Sequence, residues 1–282
     1  MSSLTDRLTH HLTQVARDRD PYLASVGHFF VQQYIQRQLQ QWGAVEQQTF
    51  SVQSRSHCNL ILRLPPAQPE RRLKPPILVG AHYDAVVGSP GADDNATGVA
   101  ALLEMARLLT EQPPRSPVHL VAFDLEEYGL LGSRHYADQL KQQKQPLRLM
   151  ISLEMLGYRD PTPDSQQYPP GLKYFYPNRG DFLGLIGNWR AIPDLIRLCR
   201  TIRKAGVACE WLPVPQAGEL IPDTRRSDHA PFWDQGYRSL MATDTANLRN
   251  PHYHQHSDSL DTLDLDFLTR ICQGLVNGIR QL

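Results

Sequence analysis

From residue 76 onward the sequence alternates between short apolar runs and longer segments with helical periodicity, and this alternation most limits the possible fold. The strand candidates cover residues 76–81, 118–124, 149–155 and 237–244. The helix candidates cover residues 97–110, 130–143, 192–204 and 265–281. Strands that alternate with helices form a largely parallel or mixed sheet with helices on both faces. We find no linker or repeat, so we expect one α/β domain over residues 1–282.

Three segments lie outside this alternation. Apolar residues recur at helical spacing within residues 1–43, which predicts two N-terminal helices that end at Gly43. Residues 44–64 contain two apolar or alternating runs that predict an antiparallel strand pair. Residues 157–226 include two irregular stretches rich in Pro and Gly. Because long loops in a compact domain are often functional, we expect residues 157–226 to form a loop-rich insertion near the active site.

Charge and cysteine content exclude several classes of protein. Lysine plus arginine number 29, as do aspartate plus glutamate, so no excess charge favours nucleic acid or an anionic membrane as a partner. Apolar runs are far shorter than the roughly 20 residues of a membrane helix, and the polar first residues do not resemble a secretory signal. Four scattered cysteines are typical of isolated thiols in a reducing compartment. We therefore expect a soluble, cytoplasmic protein; the sequence does not indicate its oligomeric state.

The first candidate site residues follow the strand PILVG. His82 and Asp84 are two residues apart, so on an extended chain their side chains point the same way. His82 could bind a metal while Asp84 accepts the other ring proton, an arrangement that fixes the histidine tautomer.

A second pair of acids lies in a Gly/Pro loop that leads into a helix. Asp93 and Asp94 are consecutive and Asn95 follows them. One of these residues could simply cap the helix. Because capping needs only one such residue, the second carboxylate is better explained by another role, such as bridging two cations.

Two adjacent glutamates follow the strand VAFD. At a buried strand end Glu126 and Glu127 would repel each other, and burial would raise the pKa of at least one. A bound cation would relieve this cost, with one glutamate as its ligand and the other as general base for a metal-bound water. The alternative is a pair of exposed acids at a helix start, where the helix dipole favours them.

Further candidate ligands occur later in the chain. Glu154 interrupts an apolar strand, where a carboxylate is expensive unless it is paired or metal-bound. His252, His254 and His256 alternate and would share one side of an extended segment. We interpret them as one ligand and two neighbours. Histidine and carboxylate ligands without thiolate suit a two-zinc hydrolytic centre.

In this order and spelling, the motifs HYD, DDNATG, EE, LEM and HQHSDSL resemble those of the co-catalytic bi-zinc aminopeptidase family. This family also contains the glutaminyl cyclases and the glutamate carboxypeptidase group. The resemblance covers about residues 76–265 and implies a mixed, twisted sheet flanked by helices. It implies two zinc ions that share Asp94, the first also bound by His82 and Glu154 and the second by Glu127 and His254.

The resemblance also implies the roles of the remaining site residues. Glu126 is the general base, and Tyr253 stands where some members hydrogen-bond the developing oxyanion. Asp84 and Asp228 act behind the ligands. Glu154 replaces the aspartate of many members, which puts zinc affinity and amine recognition in question.

The function implied is that of a zinc-dependent exopeptidase, an aminopeptidase that acts on peptides with a free N-terminus. One alternative is a glutaminyl cyclase-like acyltransferase with a single zinc. A second is a carboxypeptidase or dipeptidase whose carboxylate clamp comes from Arg179, Arg190, Arg225 or Arg226. A non-catalytic binding module is disfavoured because no ligand and no base is missing.

Overall fold

A computed structural model describes residues 2–282 and contains one eight-stranded mixed sheet. Its strands are β1 (Val45–Val52), β2 (Arg55–Leu64), β3 (Ile77–His82), β4 (Val118–Phe123), β5 (Leu149–Glu154), β6 (Phe182–Asn188), β7 (Ala208–Val214) and β8 (Ser239–Thr243). They lie side by side in the order β1-β2-β4-β3-β5-β8-β6-β7. The four central strands β4, β3, β5 and β8 run parallel, whereas β1 and β2 form the predicted antiparallel pair.

Helices cover both faces of this sheet, which confirms the predicted α/β architecture. They are α1 (Leu4–Val15), α2 (Ser25–Gln40), α3 (Gly98–Glu111), α4 (Leu131–Gln142), α5 (Ile192–Lys204), α6 (Ala230–Asp234) and α7 (Leu265–Gln281). Side chains alternate across each strand, so Val79 enters a core beneath α1, α2, α3, α5 and α7. Its neighbour Leu78 enters a smaller core beneath α4 and α6.

The prediction that residues 157–226 are irregular is wrong for β6 and β7, which extend the sheet beyond β8. β6 contains two glycines that obscure its strand pattern, and both lie against β8. A Cβ at Gly187 would lie 3.0 Å from Leu240 Cβ, and a Cβ at Gly184 would lie 3.4 Å from Thr243 O. β7 is an edge strand, the position in a sheet that tolerates its Pro213.

Helix length and cysteine state were also considered in the sequence. Within residues 2–282, the helices are all too short or too polar to cross a membrane. The four cysteines are free and buried.

Candidate metal centre

The candidate site lies at the carboxyl ends of the central parallel strands. His82 is the last residue of β3 and Glu154 is the last residue of β5, while Glu126 and Glu127 follow the end of β4. Asp94 approaches from the loop before α3. Because parallel strands end at one edge of the sheet, residues far apart in sequence meet there.

These side chains form two groups that share one aspartate, and a third set of His82, Glu126 and Glu127 overlaps both groups. His82 Nε2 lies 3.3 Å from Asp94 Oδ1 and 3.4 Å from Glu154 Oε1. On the other side of Asp94, His254 Nε2 lies 3.2 Å from Asp94 Oδ2 and 3.2 Å from Glu127 Oε2. In each group the three ligand atoms lie within 4.8 Å of one another. Asp94 thus offers one oxygen to each group, as a carboxylate that bridges two cations would.

The donor atoms of the second group are suited to a metal. Glu127 Oε1 is buried and has no hydrogen-bond partner among residues 2–282, and His254 Nε2 lies near two carboxylate oxygens without the alignment of a hydrogen bond to either. Buried polar atoms without a partner are rare and costly in folded proteins. Imidazole nitrogen and carboxylate oxygen, without thiolate, are the ligands of catalytic zinc sites. The residues therefore fit zinc.

Asp84 connects the two glutamates to His82. His82 Nδ1, on the ring side away from the other ligands, hydrogen-bonds to the backbone carbonyl of Asp84 at 3.2 Å and lies 3.4 Å from Asp84 Oδ1. The backbone N–H groups of Glu126 and Glu127 donate to the two carboxylate oxygens of Asp84, each at 3.1 Å. Asp84 thus orients the histidine, mainly through its carbonyl, and both glutamates through its carboxylate; carbonyl and carboxylate partners are both common behind metal ligands.

Burial and neighbouring carboxylates raise the pKa values of Glu126 and Glu127. Burial, with Glu154 and Glu127 close by, raises the pKa of Glu126 well above its usual value, although His82 opposes the shift. Burial and the neighbouring Asp94 raise the pKa of Glu127 to about 7. Glu126 Oε2 lies 4.0 Å from His82 Nε2, at the edge of the first group. A raised pKa in a polar cleft is typical of a residue that exchanges protons.

Asp228 lies deep behind the first group. It is fully buried, and burial raises its pKa to about 7. The preceding residue, Ser227, donates a hydrogen bond of 2.7 Å to Glu154 Oε2. The turn that carries Asp228 therefore also fixes Glu154.

The expectation that three histidines share one side of an extended segment is wrong. Residues 250–256 form consecutive turns, because Asn250 Oδ1 accepts the N–H of His252 at 2.9 Å. His252 then pairs with Ser257 Oγ and His256 with Gly88 O. His254 alone enters the site, with a φ of +58°.

Tyr253 stands beside this histidine at the cleft. Its ring stacks on the His254 ring with 3.8 Å between centroids. Its hydroxyl accepts a hydrogen bond of 2.9 Å from Arg226 Nη2.

Sequence reasoning missed two residues that hold the Asp94 loop. Asp258 accepts the backbone N–H groups of Asp93 at 2.8 Å and Asp94 at 3.1 Å. Arg19 is fully buried and donates to the carbonyl of Asp94 at 3.2 Å and to that of Tyr83 at 2.9 Å. The run RDRD around Arg19 is typical of solvent-exposed charge, so no local signal could have revealed this role.

The acids line one end of a cleft that is open to solvent. Its apolar wall comes largely from residues 157–226, which were predicted to lie near the site. Members of this wall include Tyr168, Leu172, Tyr176, Phe182, Ile186 and Trp211.

Of the four arginines proposed as a carboxylate clamp, Arg226 lines the cleft. The other three bind elsewhere. Arg179 donates to Pro161 O and Arg190 to Gly236 O, while Arg225 pairs with Asp234.

Comparison with known proteins shows which families and proteins this chain resembles. The model of peptidase family M28 matches residues 59–178. The chain is 39% identical over 218 residues to the uncharacterized protein YfbL of Escherichia coli (strain K12), an alignment that covers 72% of this chain and 65% of YfbL. It is also 44% identical to aminopeptidase YwaD of Bacillus subtilis (strain 168) over 82 residues, which are 29% of this chain and 18% of YwaD. It thus spans less than two thirds of either relative.

Solved structures share the fold of this chain. The LapA aminopeptidase of Legionella pneumophila superposes with a TM-score of 0.75 at 18% identity, over 99% of this chain and 72% of LapA. A glutaminyl cyclase of Bacteroides thetaiotaomicron superposes with a TM-score of 0.70 at 18% identity, over 99% of this chain and 97% of the cyclase. Similarity at this identity demonstrates the common fold alone.

Proposed function

We propose that this chain is a zinc-dependent aminopeptidase of peptidase family M28, which hydrolyses the first peptide bond of peptides with a free N-terminus. The observation that carries the proposal is the pair of ligand groups joined at Asp94, with Glu126 beside them. The identity to YwaD, which is named an aminopeptidase, supports the same activity. Four free, buried cysteines support a cytoplasmic location.

The proposal assigns two zinc ions to the chain. His82, Glu154 and Asp94 would hold one ion, and Asp94, Glu127 and His254 would hold the other. When bound, zinc lowers the pKa of a water molecule and polarises the carbonyl of the substrate.

The residues of the chain supply the proton transfers and the orientation. Glu126, whose pKa is raised, takes a proton from the attacking water and gives it to the leaving amine. Asp84 holds the backbone of Glu126 through the hydrogen bond of 3.1 Å and so directs the carboxylate. The Tyr253 hydroxyl donates to the developing oxyanion. Glu154 and the acids beside it neutralise the ammonium group of the substrate, and this charge pairing selects peptides with a free N-terminus.

A glutaminyl cyclase-like activity with one zinc is the alternative. A glutaminyl cyclase shares the fold of this chain. The complete second group of Asp94, Glu127 and His254 favours the two-zinc peptidase. Zinc stoichiometry and an assay for pyroglutamate formation separate the two activities.

Glu126→Gln tests the general base. We expect zinc content to stay at two equivalents while turnover of an aminoacyl substrate falls roughly 10²- to 10⁴-fold, because the amide cannot accept the proton. Glu70→Gln, on an exposed turn far from the site, is the matched control. Activity close to the wild type in Glu126→Gln would remove Glu126 from this role.

Metal analysis of His254→Ala tests the second zinc. We expect this variant to lose one zinc equivalent, because His254 contributes to one group alone. Unchanged metal content would reject the assignment.

A further inference from the structure

Arg226 is the one lysine or arginine that lines the cleft within residues 2–282. The other charged residues along the cleft are acids, namely Asp94, Glu126, Glu127, Glu154, Glu210 and Asp223. The cleft therefore carries acids at the ligand groups and a single guanidinium on its wall.

Neutral partners hold the Arg226 guanidinium in place. Nη1 donates to Asn247 Oδ1 at 3.0 Å, and Nη2 donates to Tyr253 Oη at 2.9 Å. The guanidinium also lies 5.5 Å from the centre of the Tyr253 ring. A guanidinium has five N–H donors, and these two bonds use two of them.

The positive charge of Arg226 is poorly compensated. Among residues 2–282, the one carboxylate within 4.0 Å of its nitrogens is that of Asp223, at 3.9 Å. Both side chains are about half exposed, at 45% and 51%, and such pairs contribute little. Arg226 is thus a fixed cation with donors to spare, which is how proteins bind carboxylates.

The position of Arg226 limits which carboxylate it can reach. Tyr253, which Arg226 contacts, stacks directly on His254 of the second ligand group. Arg226 is therefore one side chain away from the ligand group where the proposed hydrolysis occurs. One residue of extended chain spans about 3.3–3.6 Å. The carboxylate that Arg226 can reach therefore belongs to the first or the second residue after the scissile bond.

We propose that Arg226 binds the C-terminal carboxylate of short peptides, which makes dipeptides and tripeptides with a free C-terminus the preferred substrates. This inference rests on the proposed aminopeptidase function and adds to it a limit on peptide length. The acids recognise one end of a zwitterionic peptide and Arg226 recognises the other.

The test compares a dipeptide with its amide in the zinc-loaded enzyme. Leu-Leu, Leu-Leu-amide and leucine p-nitroanilide are assayed with the wild type, Arg226→Met and Arg226→Lys. Arg225→Met is the matched control, because Arg225 pairs with Asp234 outside the cleft. Thermal melts verify that the variants are folded.

We expect the wild type to prefer Leu-Leu over its amide. In Arg226→Met, kcat/KM for Leu-Leu should fall roughly 10- to 100-fold, mostly through KM, because a charge-assisted hydrogen bond is lost. Values for the amide and the anilide should fall clearly less than the value for Leu-Leu, since neither has a carboxylate for Arg226 to bind, whereas the contact of Arg226 with Tyr253 serves all three substrates. Arg226→Lys should recover part of the preference, and Arg225→Met should match the wild type.

Three results would overturn the inference. Equal activity of the wild type on Leu-Leu and its amide would show that no carboxylate is recognised. An equal loss on all three substrates in Arg226→Met would assign Arg226 to holding Tyr253 instead. In both of these cases, hydrolysis of the anilide by the wild type would reject the subsite and leave the peptidase intact. No turnover of any substrate, the third result, would reject both proposals.

A binding measurement gives a readout that is independent of turnover. In zinc-loaded Glu126→Gln, calorimetry should detect Leu-Leu binding that weakens roughly 10- to 100-fold when Arg226→Met is added. The same Kd with and without Arg226 would contradict the proposal.

Discussion

Arg19→Met should strongly destabilise the protein, although Arg19 is not a proposed zinc ligand. Arg19 is fully buried, and its guanidinium donates to the carbonyls of Tyr83, Pro90, Gly91 and Asp94 at 2.6–3.2 Å. Tyr83 lies between His82 and Asp84. Arg19 therefore connects the segment that follows His82 to the loop that carries Asp94. Methionine nearly fills the same space but cannot donate a hydrogen bond.

The structure indicates the size of the effect. Gly91 O keeps a second donor, the N–H of Ala96 at 3.1 Å, whereas the carbonyls of Tyr83, Pro90 and Asp94 lose a charged donor. A hydrogen bond to a charged group contributes about 1.5–3 kcal/mol, so three contribute about 5–9 kcal/mol. The variant no longer buries a charge, which offsets several kcal/mol. We therefore expect a net loss of about 3–5 kcal/mol, or roughly 6–20 °C in Tm.

Urea unfolding and thermal melts of the metal-free protein measure this loss. Arg17→Met is the matched control, since the half-buried Arg17 guanidinium lies 3.9 Å from the centre of the Phe30 ring and contributes about 0.5–1 kcal/mol. The stabilisation by added zinc should also be smaller in Arg19→Met, because zinc must then order the two loops. An Arg19→Met protein within about 1 kcal/mol of Arg17→Met would refute the reasoning.

Two other substitutions test a loop contact and a buried ion pair. Gly91→Ala places a Cβ 2.2 Å from Asp94 O, whereas Gly88→Ala, also at positive φ, meets no described atom within 4 Å. Gly91→Ala should therefore lower Tm and zinc affinity much more than Gly88→Ala does, and equal values for the two variants would contradict this. His28 pairs with Asp124 at 2.8 Å, and although burial lowers the pKa of His28, the pairing outweighs it and the net shift is upward. Because the pKa of His28 is raised in the folded state, its protonation stabilises the fold fully below the unfolded pKa of about 6.5, and this contribution is lost as pH rises through the folded pKa. In urea unfolding, the free energy of unfolding of His28→Gln should therefore fall furthest below that of the wild type near pH 5–6, and the difference should shrink at higher pH. A difference that does not change with pH would argue against the pairing.

The parts of the site that could be predicted share a local cause. His82, Glu126 and Glu154 each stand at the end of an apolar strand, where a charged residue needs a reason to be buried. The ends of parallel strands meet whatever the loops between them do. Local pattern and general topology therefore sufficed to bring these residues together.

The parts that could not be predicted depend on contacts distant in sequence. Arg19 bonds to Asp94, 75 residues away, and nothing near Arg19 in the chain reveals its burial. The glycines of β6 are explained by β8, which lies 53 residues or more further along. In residues 250–256 the alternation of histidines predicted an extended chain, but the Asn250 side chain gave the backbone a competing hydrogen bond.

The hydrogen bonds behind the ligands explain how several carboxylates can face one centre. Glu154 accepts from Ser227 through Oε2 and turns Oε1 toward His82. Asp84 accepts from the backbone of Glu126 and Glu127 with both oxygens. Donors on the side away from the centre thus hold Glu154 and Asp84, while Glu154 Oε1 faces the centre, where a cation would bind. Because the same Asp84 carboxylate fixes the proposed base and a proposed ligand, a shift of Asp84 displaces both at once, and neither glutamate can compensate for the other.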